Sequence, residues 1–229
     1  MTGHILIAGA GSGLSASIAR RFAQNGYKVS LAARSAEKLS ALAKEIGGHA
    51  YACDVSRKVD VDRLFREAAG AAGIAPDVVV YNASGRVRGP FLTLDAAAVE
   101  QALAVTAYGG FLVAQAALPA MVEARRGVLL FTGASASVKG YAKSAPFAMG
   151  KFALRGLAQS LAREFQPQGI HVAHVAIDGG IAVKGAPPTN PPEATLDPDA
   201  IAETYFHLAT QPRSAWSFET ELRPWVETF

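Results

Sequence analysis

The stretch His4-Ile5-Leu6-Ile7-Ala8-Gly9-Ala10-Gly11-Ser12-Gly13-Leu14-Ser15 decides the fold of this chain. The mostly apolar run His4–Ala8 is typical of a short buried strand, and the pattern behind the glycines predicts a helix from Leu14 to Asn25. Glycines between a strand and a helix let backbone N–H groups approach a phosphate, and the helix dipole favours its negative charge. We therefore expect a phosphate-binding turn, formed by Gly9, Gly11, Ser12, Gly13 and Leu14.

The alternation of strand and helix continues along the whole chain. Further strands are predicted over Tyr27–Ala32, His49–Cys53, Asp77–Tyr81, Val128–Thr132, Ile170–Ile177 and Glu219–Leu222. Helices are predicted over Ser35–Ile46, Val59–Ala72, Asp95–Arg125 with a break near Thr106, Ser144–Phe165 and Asp199–Thr210. Strands joined by helices form right-handed crossovers and a parallel sheet. We expect one α/β domain over residues 1–229, with a doubly wound parallel sheet of about seven strands and helices on both faces.

Composition narrows the class of protein. Of the 229 residues, 50% are hydrophobic and 18% are charged, which is typical of a globular chain rather than a disordered one. The formal net charge of +3 is small and no Lys/Arg run stands out, so a nucleic-acid partner is not indicated. No apolar stretch of about 18 residues runs without polar interruption, so no membrane span is predicted.

Two features bear on the compartment. The single cysteine, Cys53, excludes an internal disulfide and fits a reducing environment. Apolar residues begin at Ile5 with no basic segment before them, so no secretory signal is predicted. We expect a cytoplasmic protein.

Residues suited to ligand binding follow the predicted strands, whose carboxyl ends are where ligands bind in parallel sheets. Asp54-Val55 follows the third strand, Asn82-Ala83-Ser84-Gly85 the fourth, and Asp178-Gly179-Gly180-Ile181 the sixth. The second strand ends in Ala32-Ala33-Arg34-Ser35, with no acidic residue at its tip. The guanidinium of Arg34 suits a phosphate, because its planar fork of donors matches two oxygens.

Three motifs resemble the short-chain dehydrogenase/reductase family. The pattern Gly9-x-x-x-Gly13-x-Ser15 is similar to its glycine motif, with serine in place of the last glycine. Asn82-Ala83-Ser84-Gly85 is similar to its Asn-Ala-Gly signature, and Phe152–Glu164 to the helix after its active-site lysine. The resemblance spans essentially the whole chain. It implies a Rossmann-type fold, a nicotinamide cofactor and an oxidoreductase that acts on a small-molecule carbonyl/alcohol pair.

The same resemblance implies cofactor contacts and an assembly. The implied cofactor residues are Gly9, Gly11, Ser12, Gly13, Leu14, Arg34, Ser35, Asp54, Val55, Asn82, Ala83, Ser84, Lys151, Gly179 and Ile181. An acidic residue at the tip of the second strand would bind the ribose 2′-hydroxyl of NAD, whereas Arg34 and Ser35 suit a 2′-phosphate. NADP(H) is therefore favoured over NAD(H). The stretches Thr106–Arg125 and Ser144–Phe165 resemble the family's oligomer-forming helices, which implies a homodimer or homotetramer.

The catalytic positions depart from the family pattern, which implies an asparagine, a serine, a tyrosine and a lysine acting together. Lysine is present as Lys151, but the tyrosine position holds Phe147, whose ring has no proton to give. The asparagine position falls on Thr106. An ungapped alignment puts Ala134 at the serine position, and a small loop shift would bring Ser135 into register. One of the four catalytic residues clearly remains.

Two functions therefore stay open. An NADP(H)-dependent oxidoreductase needs another proton donor, and the candidates are Tyr108, Ser135, Ser137, Tyr141, Ser144 and Asp178. A surface or packing role is expected for each, and Asp178 is the most interesting because burial favours a protonated carboxyl group. The alternative is a dinucleotide-binding sensor or scaffold with little or no catalysis. The loop predicted at Gly185–Pro198 favours the enzyme, because a lid there would cover a substrate pocket.

Two pairs of residues are less informative. Arg86 and Arg88 follow the Asn82 turn, where a solvated loop is favoured over a site for an anionic substrate. His171 and His174 lie three apart on a strand and so on opposite faces, which argues against a shared metal. No metal site is predicted.

Overall fold

The computed structural model describes residues 3–183, 185–187 and 189–227 of the chain. Within these residues the strands form one sheet: β1 (His4–Ala8), β2 (Lys28–Ala33), β3 (His49–Ala52), β4 (Val78–Tyr81), β5 (Gly127–Thr132), β6 (Ile170–Ile177) and β7 (Glu219–Leu222). The strand order is β3-β2-β1-β4-β5-β6-β7, and every neighbouring pair is parallel. The predicted doubly wound parallel sheet is confirmed.

Helices cover both faces of this sheet. The described residues form α1 (Leu14–Gln24), α2 (Ser40–Glu45), α3 (Lys58–Ala72), α4 (Ala96–Leu103), α5 (Gly109–Ala124), α6 (Ala145–Phe165) and α7 (Pro198–Thr210). Leu6 of β1 belongs to the buried cluster that includes α3, α5 and α6, whereas its neighbour Ile7 belongs to the cluster with α1, α2 and α7. Each face of the sheet therefore has its own core, as expected for strands that are apolar on both sides.

The position of β1 determines where a ligand fits. Its neighbours are β2 on one side and β4 on the other, so the crossovers from this region leave in opposite directions. That arrangement opens a crevice at the carboxyl ends of the strands. The turn after β1 lies at its edge, because the amides of Gly9 and Ala10 both donate to the carbonyl of Ala32 on β2.

Two predicted helix starts differ in the structure. The segment predicted as one helix from Ser35 to Ile46 is a 3-10 turn, Ala36–Leu39, followed by α2. Ser35 is extended, and its side chain makes no capping hydrogen bond. Ser144 likewise makes no side-chain cap ahead of α6, where Pro146 occupies the first turn. These helices are stabilised by burial of their apolar residues rather than by a serine cap.

The long helical stretch predicted over residues 95–125 contains a π-helical turn, Ala104–Tyr108, that joins α4 to α5. The predicted break near Thr106 is thus a local widening of a continuous helix. The Tyr81 hydroxyl donates a hydrogen bond to the carbonyl of Val105 in this turn. Gly109 leaves room for the tyrosine, since a Cβ at that residue would overlap the Tyr81 hydroxyl oxygen.

The helical stretch Ala96–Ala124 is long and apolar enough to cross a membrane by length and composition alone. Half of its most apolar window is buried inside the fold, where α5 packs against the sheet. Its apolar composition is explained by this burial, as in a core helix.

Candidate active site

A cavity of about 510 Å³ opens at the carboxyl ends of the central strands. Its walls are the glycine turn after β1, the end of β5, the first turns of α6 and residues 179–183 after β6. A second cavity of about 520 Å³ adjoins it, and the two share Gly9, Asn82, Ser84 and Arg86. Together they form a groove across the switch point of the sheet, which is where a doubly wound fold binds its ligand.

The glycine turn has the geometry that a phosphate site requires. Gly9 has a φ of +84°, and a Cβ there would overlap the backbone of Ala83, so this residue must be glycine. Ser15 is buried; its hydroxyl donates to the Gly9 carbonyl at 3.3 Å and accepts from the Asn82 side-chain amide at 2.8 Å. Serine at this position therefore ties the turn to the segment after β4. The other predicted turn residues line the cavity: Gly11, Ser12, Gly13 and Leu14.

The second cavity brings together Asp54, Val55, Ala83 and Arg34 from the ends of three strands. The Asp54 carboxylate accepts hydrogen bonds from the Ser56 hydroxyl (2.7 Å) and the Ser56 amide (3.0 Å). The hydroxyl bond is the main cause that lowers the pKa of Asp54. This carboxylate is therefore ionised and held in one orientation, as a hydrogen-bond acceptor for a ligand.

Cys53 lines the same cavity, but its thiol is unreactive. Burial is the largest cause that raises the pKa of its thiol to about 12. A thiol that stays protonated at neutral pH is a poor nucleophile, so no covalent role is assigned to this residue.

A third cavity of about 560 Å³ lies beside the tip of β2, next to Gly11 and Ser12. Its lining includes Arg34 and Ser35, as expected for a phosphate site, and also Lys38, which sequence reasoning did not single out. Lys38 lies in the 3-10 turn after β2, four residues beyond Arg34. Arg34 precedes this turn and is not helical, so no helical spacing pointed to the second cation in the sequence.

Lys151 lies on the wall of the first cavity and is only 3% exposed. Its Nζ donates a 2.7 Å hydrogen bond to the carbonyl of Thr132 at the end of β5. Burial, and to a smaller extent the positive charge of Arg86, lowers the pKa of Lys151 to about 7. The ammonium group therefore exchanges its proton near neutral pH, unlike an ordinary surface lysine.

Phe147 lies between two cations. Its ring is 7% exposed and lines the first cavity. The Arg86 Cζ lies 4.8 Å from the ring centroid and the Lys151 Nζ lies 5.9 Å from it, both within cation–π range. Arg86 is exposed in its loop, as expected, and its guanidinium also reaches over the Phe147 ring at the cavity wall.

Thr106, at the asparagine position, is 1% exposed and lies outside the cavity lining. Its Oγ1 accepts a hydrogen bond from the amide of Gly85 at 2.9 Å, which fixes the loop after β4. A Cβ on Gly150 would lie 2.9 Å from the Thr106 Cβ. The close approach expected at Gly150 is therefore that of a threonine side chain, and Thr106 positions backbone rather than facing a ligand.

The serine position is occupied by Ala134, which lines the first cavity. Ser135 lies outside that lining and begins a 3-10 turn that ends at Ser137. The amide of Ser137 donates to the Ala134 carbonyl at 2.8 Å and fixes the register of this turn. The loop shift that would bring Ser135 into the serine position is therefore absent.

Behind this turn a series of polar groups leads from the buried Ser137 and His174 to Glu219 and Arg155 near the surface. The Ser137 Oγ accepts from the amide of Ala134 at 3.2 Å and lies 3.2 Å from the His174 Nε2. The His174 Nδ1 lies 3.0 Å from a Glu219 carboxylate oxygen, and Arg155 donates two hydrogen bonds to that carboxylate, at 2.6 and 2.8 Å.

Although a serine, a histidine and a glutamate follow one another in this network, it is not a nucleophilic site. Ser137 and His174 are both 0% exposed, so no substrate reaches the hydroxyl. Burial lowers the pKa of His174 to about 4, so the imidazole is neutral at physiological pH. The network instead holds Ala134, and with it the cavity wall, in place. Sequence reasoning missed it because its members are distant in the chain.

The other candidate proton donors also lie outside the cavity lining. Tyr108 and Tyr141 are exposed, and Ser144 is buried. Asp178 is 4% exposed and lies 3.8 Å from the Lys139 ammonium and 3.6 Å from the Arg223 guanidinium. Asp178 therefore faces two cations outside the cavity lining. Among the described lining residues of the first cavity, the ionisable side chains are Lys151 and Arg86.

The segment after β6 completes the wall. Gly179 and Ile181 both line the first cavity, as the resemblance implies. Leu196 pairs with Ile181 through a backbone bridge, which ties the far end of the predicted lid, residues 185–198, to the cavity. Residue 188 of that lid lies outside the described residues.

The two strand histidines lie apart, as expected. His171 stacks on Trp216, with ring centroids 4.9 Å apart, on the opposite face of the sheet from the His174 network. Within residues 3–183, 185–187 and 189–227, no group of three potential metal ligands occurs.

A doubly wound parallel sheet, a glycine turn at its switch point and a lysine on the cavity wall define a dinucleotide-binding oxidoreductase of the Rossmann type. The chain belongs to the short-chain dehydrogenase family, whose model matches residues 3–187.

Individual relatives agree with this assignment. An uncharacterized oxidoreductase of Staphylococcus aureus is 28% identical over 223 residues, which cover 96% of each chain. A short-chain dehydrogenase from Rhodopseudomonas palustris is 33% identical with a TM-score of 0.84, covering 97% of this chain and 99% of its own. A metagenomic short-chain oxidoreductase in complex with NADP is 31% identical with a TM-score of 0.83, covering 98% of both chains.

Proposed function

We propose that this protein is an NADP(H)-dependent oxidoreductase that interconverts a small-molecule carbonyl and an alcohol, with Phe147 at the family's tyrosine position. The observation that carries the proposal is Lys151, a buried lysine with a pKa of about 7 on the wall of the cavity that also contains the glycine turn. A scaffold has no need of a buried amine that exchanges its proton at neutral pH, and perturbed groups in clefts mark functional sites.

The residues present fit a dinucleotide. The glycine turn suits the pyrophosphate, Asp54 and Val55 the adenine, and the segment 82–84 the adjoining ribose. Lys151 suits the ribose next to the nicotinamide, and Gly179 and Ile181 suit its carboxamide. When bound, the nicotinamide supplies or accepts the hydride.

The preference for NADP(H) is supported by the third cavity. Arg34 and Lys38 place two cations around it, and Ser35 adds a hydroxyl, which is the donor set that a 2′-phosphate takes. The metagenomic relative is an NADP complex, in agreement with this choice.

The chain must still deliver a proton to the carbonyl oxygen when hydride reaches the carbonyl carbon. We assign this proton to Lys151, because Phe147 has none and the guanidinium of Arg86 does not release one. The tyrosine of the family pattern is absent, and loss of a positioned general acid typically costs about 10²–10⁴ in rate. We therefore expect slow but measurable turnover with Lys151 as the donor.

A dinucleotide-binding sensor or scaffold is the second candidate. It is favoured by the residues at the other catalytic positions. Phe147, Ala134 and Thr106 offer no side chain that could pass a proton to a ligand in the cavity. The two candidates share the cofactor and differ in whether hydride is transferred.

One experiment separates them. NADPH binding is measured by the shift in melting temperature, and a panel of aldehydes and ketones is then screened with wild type and with Phe147→Tyr. Turnover by wild type above the background rate rejects the scaffold, and the tyrosine variant should be faster. Absence of any stabilisation by NADPH rejects both candidates.

An assembly and a lid belong to the same proposal. Four apolar side chains are exposed on neighbouring helices: Tyr108 at the end of the π-helical turn, Phe111 in the first turn of α5, and Met149 and Phe152 on α6. These exposed apolar side chains suit burial in a homodimer or homotetramer, which light scattering would detect. Residues 185–198 are proposed as the lid over the substrate, and the cytoplasm as the compartment.

A further inference from the structure

Arg86 has a guanidinium that the fold leaves without a polar partner. It follows the turn after β4 and lies at the border of the two main cavities. Its Cζ lies over the Phe147 ring, 4.8 Å from the ring centroid. Among the described residues its one contact is with this ring, and its five N–H donors stay available.

The charged side chains that line the cavity around this guanidinium are all positive. The first cavity is lined by two cationic side chains, Arg86 and Lys151, and its described lining contains no aspartate or glutamate. The two cations repel each other, since the charge of Arg86 contributes to the lowered pKa of Lys151. An anion placed between them would relieve this repulsion.

We propose that the cavity takes a carbonyl substrate that carries a carboxylate, and that Arg86 binds this carboxylate while the carbonyl group lies toward Lys151. This inference rests on the proposed oxidoreductase function and names its substrate class. A carboxylate is favoured because the planar fork of a single guanidinium matches its two oxygens. The Phe147 ring holds the fork in place through the cation–π contact and offers an apolar wall to the body of the substrate.

A competing role for Arg86 is the cofactor pyrophosphate. The residue borders the second cavity as well, so its guanidinium is within the groove that a dinucleotide would occupy. The two roles differ in a measurable way. If Arg86 binds the substrate, removing it lowers the rate for carboxylate-bearing carbonyls more than for neutral ones. If Arg86 binds the cofactor, removing it weakens NADPH binding and affects all carbonyl substrates alike.

The test compares terephthalaldehydic acid with its methyl ester as substrates for wild type, Arg86→Ala and Arg88→Ala. Arg88 is the matched control, because it lies in the same loop, is exposed and lines neither cavity. We expect wild type to reduce the acid with at least about 10-fold higher kcat/KM than the ester. Arg86→Ala should abolish this preference, because its kcat/KM for the acid falls by a factor at least about 10-fold larger than its kcat/KM for the ester, mainly through KM. NADPH should still raise its melting temperature, and Arg88→Ala should behave as wild type.

Other outcomes have definite meanings. Equal kcat/KM for acid and ester in wild type, or an equal loss for both in Arg86→Ala with weaker NADPH binding, overturns the inference. If no aldehyde is reduced, the proposed function fails, and the carboxylate site is tested alone by titrating benzoate and benzamide into the NADP-saturated protein. Benzoate binding that requires Arg86 and exceeds benzamide binding by about 10-fold supports the site; no such difference rejects it.

Discussion

The Nζ of Lys151 donates a 2.7 Å hydrogen bond to the carbonyl of Thr132, which holds at the cavity wall an amine whose pKa burial lowers to about 7. A carbonyl accepts a hydrogen bond from either protonation state, so this contact leaves the proton of the ammonium exchangeable. The lowered pKa then has a direct consequence for the pH dependence of the reaction.

Carbonyl reduction with saturating NADPH should fall as the pH rises through about 7, because the pKa of Lys151 is about 7 and the proton to be transferred is lost above it. A surface lysine would keep its proton to about pH 10. The pH dependence of kcat checks this. A rate that stays constant from pH 6 to pH 9 would contradict the assignment of the proton to Lys151. In Phe147→Tyr a second titrating group enters, and the profile should change shape.

The proposed preference for NADP(H) predicts that removing the cations at the tip of β2 weakens NADPH binding more than NADH binding. Arg34→Ala and Lys38→Ala should each weaken NADPH binding by about 10-fold or more, because each removes a charge-assisted hydrogen bond to the 2′-phosphate. NADH affinity should change less than about 2-fold. Kd values for both cofactors check this, with Lys44→Ala, an exposed lysine on α2, as the control. Equal losses for both cofactors would show that these cations serve another part of the ligand.

Lys38 and Arg86 illustrate what the sequence reveals about the site. The fold follows from local patterns, since each strand and helix has its own periodicity and the glycine turn lies between two of them. The place of Lys38 beside Arg34 was not predictable, because the 3-10 turn that positions it was predicted as ordinary helix. The contact of Arg86 was not predictable either, because no local pattern shows that its side chain reaches over Phe147, which is distant in sequence.

Tertiary contacts account for the rest of the difference. Thr106 and Gly150 are on separate helices, and the contact between them exists only once the helices pack. The register at Ala134 depends on Ser137 and on His174 of β6, which a single-sequence alignment of the β5 end does not include. Residue identities at catalytic positions were therefore readable, whereas the groups that hold those positions were not.

The contact between Gly150 and Thr106 predicts opposite effects for two glycines of α6. Gly150→Ala places a Cβ 2.9 Å from the Thr106 Cβ, and this overpacking should cost about 1–3 kcal/mol, more than the helix propensity of alanine returns. Gly156→Ala meets nothing within 4 Å and should stabilise the protein by up to about 1 kcal/mol. Urea unfolding of both variants checks the pair. Stabilisation by Gly150→Ala would show that α6 moves freely away from Thr106.

The buried His174 predicts a loss of stability in acid. Its pKa is about 4 in the folded protein and about 6.5 when unfolded, so the unfolded state binds more protons between these values. The free energy of unfolding should therefore fall as the pH drops from 6.5 to 4, by up to about 3 kcal/mol from this residue. His4 and His171 also have lowered pKa values and add to the slope in the same direction.

The contribution of His174 is isolated by a difference between variants. His174→Gln removes the titration and leaves an amide in place of the imidazole, so it should be less stable than wild type at pH 7, and the gap should narrow toward pH 4. Urea unfolding at pH 7, 5.5 and 4.5 measures the gap, with His49→Gln, an exposed histidine of β3, as the control. A gap that is independent of pH would mean that the imidazole keeps the same proton affinity folded and unfolded. His174→Gln should also raise the KM for the carbonyl substrate by a larger factor than it raises the Kd for NADPH. The reason is that Ser137, without its histidine partner, holds Ala134 and the substrate-facing wall less firmly.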